Sequence, residues 1–232
     1  EIRLKVFTLA DIPIDRTAEK EAAFIDSALS KCEHFKEYHE RNSFKLYTFD
    51  GLYPLGQGGI RKKNEVYTMT IRTISKELRD FFMDNLNEHS SNELKGLVAT
   101  EKIIPRKTIE KIYSLTPIVI KTEDGYWKDH LSLSEYEYRL FVNAVKKYKE
   151  FTGEAVDENF NLYSEISFSN KSPVPFNYAS KGVKLLGDKV TLHIADSPRA
   201  QNLAYFILGC GLGEMNARGA GFCNYSFVRE AD

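Results

Sequence analysis

Hydrophobic positions along the chain switch between two spacings, and the order of the switches is repeated. EIRLKVFTLA sets Ile2, Leu4 and Val6 against Arg3, Lys5 and Phe7, the two-residue period of a half-buried strand. From Thr17 the period lengthens. Ile25, Ala28, Leu29, Cys32 and Phe35 fall at helical spacing, with Glu19 and Glu21 at the start, where the helix dipole favours acids. FKLYTF (44–49) is a strand candidate, GLYPLGQGG a loop by its glycines and Pro54, and EVYTMTIRT (65–73) alternates again. Ser75 is placed to cap a second helix with the stripe Leu78, Phe81, Phe82 and Leu86. LKGLVATEKII returns to strand character. The predicted order is strand, helix, strand, strand, helix, strand.

The second half repeats it. PIVIK (117–121) reads as a short strand. Ser134 and Glu137 fit a capping box for a helix that buries Tyr136, Leu140, Ala144 and Tyr148 and ends near Gly153. FNLYSEISF and KVTLHIA read as strands. SPRAQNLAYFILG reads as a helix with Ser197 as N-cap, Pro198 at its first position, and Leu203, Phe206 and Ile207 facing inward. GFCNYSFV is the last strand. The pattern predicts an α+β protein of two tandem ferredoxin-like (βαββαβ) domains, residues 1–114 and 115–232.

Length agrees, since 232 residues suit two domains of roughly a hundred each. No apolar run approaches the ~20 residues that span a bilayer. The opening stretch reads as a strand rather than a signal peptide, so a cytoplasmic protein without a membrane partner is expected. Cys32, Cys210 and Cys223 are an odd set at scattered spacings, neither a disulfide framework nor a zinc site, and no metal or cofactor is expected. A net charge of −1 argues against coating nucleic acid through the overall field and leaves room for local basic clusters. These are Arg61, Lys62 and Lys63; Lys102, Arg106, Lys107 and Lys111; and Lys146, Lys147 and Lys149. Taken singly, each reads as a solvated face.

One stretch needs more explanation. LGCGLGEMNARGAGF holds five glycines within thirteen residues, ahead of the last strand. It lacks G-x-x-x-x-G-K-[ST]. Gly209, Gly211 and Gly213 also lack the dinucleotide-binding spacing and follow a helix. A helix C-cap needs one glycine, and each further glycine costs conformational entropy on folding. Successive free N–H groups in such a loop can line an anion site, with Arg218 adding charge.

Gly211-Leu212-Gly213-Glu214 followed by Gly219-Ala220-Gly221-Phe222 resembles the C-terminal glycine-rich signature of the CRISPR-associated Cas6 endoribonucleases, of the repeat-associated mysterious protein (RAMP) superfamily. KLYTFDGL (45–52) resembles that family's K-x-F-T-[FY]-S-x-L segment, and TPIVIKTEDGYW with the Tyr-rich helix after it resembles its inter-domain segment. The resemblance runs along essentially the whole chain in one order. It implies tandem ferredoxin-like domains and a metal-independent cut in the repeat of a CRISPR precursor transcript. The RNA's 2′-hydroxyl would attack the adjacent phosphorus, leaving a 2′,3′-cyclic phosphate and a 5′-hydroxyl on the way to crRNA. On the same resemblance His39 would be the general base or acid, and Lys45, six residues on, would stabilise charge on the scissile phosphate. By position alone His39 reads as a histidine favoured at a helix C-terminus.

RNA contacts would fall to Arg61, Lys62 and Lys63 and to the loop residues Gly211, Gly213, Arg218, Gly219 and Gly221. The chain departs from the family at three places. Phe24 and Asp26 stand where members often carry a catalytic Tyr or His; Met215 stands where a Lys often follows the Glu; and Asp50 replaces a serine. Among the other histidines His34 is the rival, expected to point to water. His89 and His130 read as surface residues and His193 as structural. The expected partners are CRISPR repeat RNA and crRNA, with interference-complex subunits as further candidates, in a monomer or a homodimer. Two other readings stand beside this one. A non-catalytic RAMP-type crRNA-binding subunit would not need the imidazole. A small-molecule or effector-binding ferredoxin-like protein would show no RNA affinity.

Overall fold

Each βαββαβ run closes into a four-stranded antiparallel sheet in the computed structural model, which describes residues 1–41, 43–55, 57–178 and 183–229, with the side chains of residues 39, 40, 57, 178, 183 and 184 outside that description. The chain forms two compact units. The first comprises Glu1–Ile104, Asn177–Val183 and Ala217–Gly219; the second comprises Pro105–Phe176, Lys184–Asn216 and Ala220–Asp232.

The first unit contains β1 (Ile2–Thr8), β2 (Ile12–Pro13), α1 (Thr17–Leu29), α2 (Glu33–Glu40), β3 (Tyr47–Phe49), β4 (Ile60–Arg61), β5 (Val66–Thr73), α3 (Lys76–Asn85) and β6 (Leu94–Glu101). Its sheet has the order β3-β5-β1-β6, and β2 pairs with β4 in a separate ribbon. Alternation in β1 does what the sequence implied. Ile2, Leu4 and Val6 are at most 1% exposed and share a core with Met69, Ile71, Phe49, Phe24, Ile25, Leu29 and Phe82. Each such side chain contributes about 1.5–3 kcal/mol. Ser75 caps α3, its hydroxyl accepting from the Leu78 N–H at 3.2 Å.

The second unit contains β7 (Ile109–Ser114), α4 (Leu133–Thr152), β8 (Tyr163–Phe168), most of β9 (Val174–Tyr178) and β10 (Val183–Gly187), whose residues 177, 178 and 183 fall in the first unit, β11 (Val190–Ile194), α5 (Pro198–Cys210) and β12 (Cys223–Phe227). Its sheet order, β12-β7-β11-β8, is the same ferredoxin-like arrangement as in the first unit. Ser197 caps α5, accepting from the Ala200 N–H at 3.3 Å, and Gly153 closes α4 in a left-handed conformation.

Four expectations are corrected. The first strand of the second unit is β7, not PIVIK. Ile112 of β7 pairs with both Leu192 and Tyr225, whereas Ile118 and Val119 make only isolated bridges although both are buried. The unit boundary therefore falls after Ile104 rather than at residue 114. The first helix is two helices, because Ser30–Cys32 turn and Cys32 is extended ahead of α2. The capping box uses Ser132 and Glu135, since S-x-x-E occurs twice in this stretch and the earlier copy starts the helix. The β9–β10 ribbon had no counterpart in the sequence reading. Among the described residues no helix is long and apolar enough to cross a membrane.

Candidate nucleic-acid interface

His39 stands on the last turn of α2; its side chain lies outside the described residues. Its surroundings are held by Lys45. That ammonium donates to the carbonyl of Tyr38 at 2.5 Å and to that of Arg41 at 2.7 Å, satisfying helix-end acceptors that have no intrahelical donor. It also lies 4.9 Å from the Tyr38 ring centroid. The Tyr38 hydroxyl accepts from the Leu46 N–H at 2.7 Å, tying the helix end to the entry of β3.

Tyr47 follows in β3 and is fully buried, with no hydrogen-bond partner for its hydroxyl among the described residues. Burial holds its pKa far above the ordinary phenol range; the charges of Asp26 and Tyr38 add to this and Arg218 opposes it. Two features distant in sequence thus surround one hydroxyl: the end of the His39-bearing helix, and the pair formed by Arg218 with Asp26 of α1.

The glycine-rich loop is explained first by close packing. Gly221 has φ +69°, and a Cβ there would lie 1.9 Å from the Leu212 carbonyl oxygen. Gly219 has φ +96°, and its Cβ would lie 2.9 Å from Phe49 Cε2. The expectation of a row of free amides is corrected at six positions. The N–H groups of Gly211, Leu212, Glu214, Ala220 and Gly221 donate to the carbonyls of Ile207, Gly221, Val119, Met215 and Pro117 at 2.8–3.2 Å. The Phe222 N–H donates to the Thr116 hydroxyl at 2.8 Å.

Below the loop lies a residue that the sequence reading placed in a solvated cluster. Lys147 is 3% exposed. Its ammonium donates to the carbonyls of Gly211 (3.1 Å) and Gly213 (2.5 Å) and to Asn216 Oδ1 (2.6 Å). Burial lowers its pKa. Asn216 Nδ2 in turn donates to the carbonyls of Leu212 (3.1 Å) and Ala220 (3.0 Å). The signal was available: Lys147 continues the stripe Tyr136, Leu140, Ala144 at the next helical step.

In the basic cluster before β5, Lys62 and Lys63 are exposed but Arg61 is only 3% exposed. Its guanidinium lies 5.8 Å from the Tyr67 ring centroid. Its charge acts on Glu21, a fully buried carboxyl on α1 whose pKa is raised well above normal by burial and by Asp50, with Arg61 opposing. Within this cluster, Lys62 and Lys63 present their charge at the surface and Arg61 does not.

His89 is buried rather than on the surface. Its Nδ1 lies 3.1 Å from Lys31 Nζ and its Nε2 lies 2.8 Å from the Ser27 hydroxyl, which donates to the Phe24 carbonyl at 2.9 Å. Donors then run one way, so the neutral ring carries its proton on Nε2 and cannot take one from Ser27. Burial lowers its pKa. His34 is exposed, 3.6 Å from Glu77. His130 is exposed and His193 half-buried on β11.

A family model described as "CRISPR associated protein Cas6, C-terminal" matches residues 99–225. A protein of Methanocaldococcus jannaschii named "CRISPR-associated endoribonuclease Cas6 2" is 30% identical over 220 residues, covering 87% of this chain and 88% of that protein. A solved structure described as "CRISPR associated protein Cas6" shares the fold at TM-score 0.69 and 23% identity, over 97% of this chain and 98% of the other. Another, described as "An RAMP protein binding different RNA substrates", does so at TM-score 0.69 and 18% identity, with the same coverage.

Proposed function

This chain belongs to the Cas6 family, and on that premise we propose that it is a metal-independent endoribonuclease that cuts CRISPR repeat RNA to make crRNA. The observation that carries the reading is the convergence at Tyr47, where Arg218 of the glycine-rich loop and Tyr38 of the His39-bearing helix act on one hydroxyl.

The step is a transesterification. The 2′-hydroxyl loses its proton, the O2′–P bond forms, the P–O5′ bond breaks, and the departing oxygen takes a proton. His39 moves a proton at one of those two oxygens. Lys45 and Arg218 supply positive charge where the phosphorane becomes more negative. In the free protein both cations are engaged, Lys45 with carbonyls and Arg218 with Asp26, so RNA binding includes an exchange of partners. Lys62 and Lys63 add phosphate contacts that position the strand. The crRNA product passes to an interference complex.

The engagement of both cations also favours a second reading, a RAMP-type subunit that binds crRNA without cutting. Incubation with CRISPR repeat RNA in excess EDTA separates the two. Cleavage to a 2′,3′-cyclic phosphate and a 5′-hydroxyl supports the nuclease, and binding with intact RNA supports the subunit.

A further inference from the structure

Lys147 poses a physical question. A buried ammonium is costly unless each N–H finds an acceptor, and apolar side chains often fill such a site more stably. Here three N–H donors meet three oxygens, all from the glycine-rich loop: Gly211, Gly213 and Asn216. Asn216 uses its other end to join the carbonyls of Leu212 and Ala220. Those two residues bracket the segment Ala217–Arg218–Gly219. Backbone bends stand at both margins, with Met215 at φ 62° and Gly219 at φ 96°. Fixing both arms of so short a segment fixes where its central residue projects.

We propose that Lys147 and Asn216 are positioning residues for Arg218. Lys147 orients the Asn216 amide, Asn216 ties the two arms of the loop, and the arms present the guanidinium to RNA phosphate. Neither residue touches the substrate. The inference rests on the RNA-cleaving reading above and adds to it the device that gives the loop its shape.

The test measures repeat-RNA affinity across a salt series, well below the unfolding midpoint, for wild type, Arg218→Gln, Lys147→Met, Asn216→Ser and each double variant with Arg218→Gln. Arg218→Gln should weaken binding roughly tenfold and reduce the salt slope by about 1, the signature of one lost phosphate contact. Lys147→Met and Asn216→Ser should each reproduce both effects. Asn216→Ser changes no charge, so its altered slope cannot come from a deleted cation. Adding Arg218→Gln to either should cost about twofold or less, because coupled sites are not additive. If Lys147→Met does not fold, Asn216→Ser carries the same comparison.

The inference is overturned if these variants melt earlier yet bind RNA like wild type and keep the full Arg218→Gln increment. That result leaves the RNA reading intact. If Arg218→Gln itself changes neither affinity nor slope, Arg218 makes no phosphate contact and this inference falls, while cleavage of repeat RNA in EDTA still decides the RNA-cleaving reading.

Discussion

Arg218 and Asp26 form an ion pair in which the loop residue is 29% exposed and the α1 residue 22%. Asp26 stands in the stretch of the first helix where the family resemblance leads one to look for a further catalytic Tyr or His. In this chain that stretch holds the guanidinium of the tail instead. The pair is partly sheltered from water, so it contributes more than a fully solvated one. Asp26→Ala should lower stability by about 1 kcal/mol. The loss should shrink when Arg218 is already Gln, which urea unfolding of the four members of the cycle measures.

Gly221→Ala tests the packing account of the loop. The new Cβ meets the Leu212 carbonyl oxygen at 1.9 Å in a left-handed backbone conformation. Urea unfolding should show a loss of roughly 3 kcal/mol or more. Gly125 is also left-handed, but a Cβ there meets nothing within 4 Å. Its Ala variant should lose about 1 kcal/mol.

Lys45→Met removes the donor that closes α2 over Tyr38 and Arg41. Amide protection at residues 38–41 should fall. Cleavage under single-turnover conditions should slow roughly 10–100-fold, the scale of a displaced catalytic group. Unchanged protection together with an unchanged rate would show that the clamp holds nothing of consequence.

Glu21 links stability to pH. Burial favours its neutral form in the fold, so the folded chain binds that proton more tightly than the unfolded chain does. Its contribution is complete below ~4.3, the ordinary carboxyl value, and is lost as pH rises toward the higher folded value. Glu21→Gln keeps the shape without the charge. Its stability advantage over wild type should grow as pH rises above ~4.3, by at most about 1.4 kcal/mol per unit. His89 acts with the opposite sign: its lowered pKa gives a contribution that is full above ~6.5 and lost as pH falls below that value.

Much of the fold was legible because local signals agreed with it. Ile2, Leu4 and Val6 alternate and are buried; Ser75 and Ser197 cap helices whose stripes face the core. β7 is hard to read because Glu110 and Lys111 interrupt its apolar positions, while the apolar run Ile118, Val119 and Ile120 is buried outside the sheet. Candidate site residues were harder to read because charge type does not reveal burial. Lys147 and Arg61 look like their exposed neighbours until tertiary packing turns them inward. The glycine loop was legible as a special backbone, but the structure assigns six of its amides to internal hydrogen bonds. His89 lies in a polar stretch, and it becomes internal through tertiary contacts with α1: Phe24 packs against its ring, centroids 4.9 Å apart, and Ser27 and Lys31 meet its nitrogens.

The most direct measurement is single-turnover cleavage of CRISPR repeat RNA in EDTA by wild type and His39→Ala, with RNA affinity measured in parallel. Wild type should leave a 2′,3′-cyclic phosphate. His39→Ala should bind within about threefold of wild type and lose roughly 100-fold or more in rate, the scale of a general acid or base. Cleavage by His39→Ala at the wild-type rate would contradict the assignment of the imidazole.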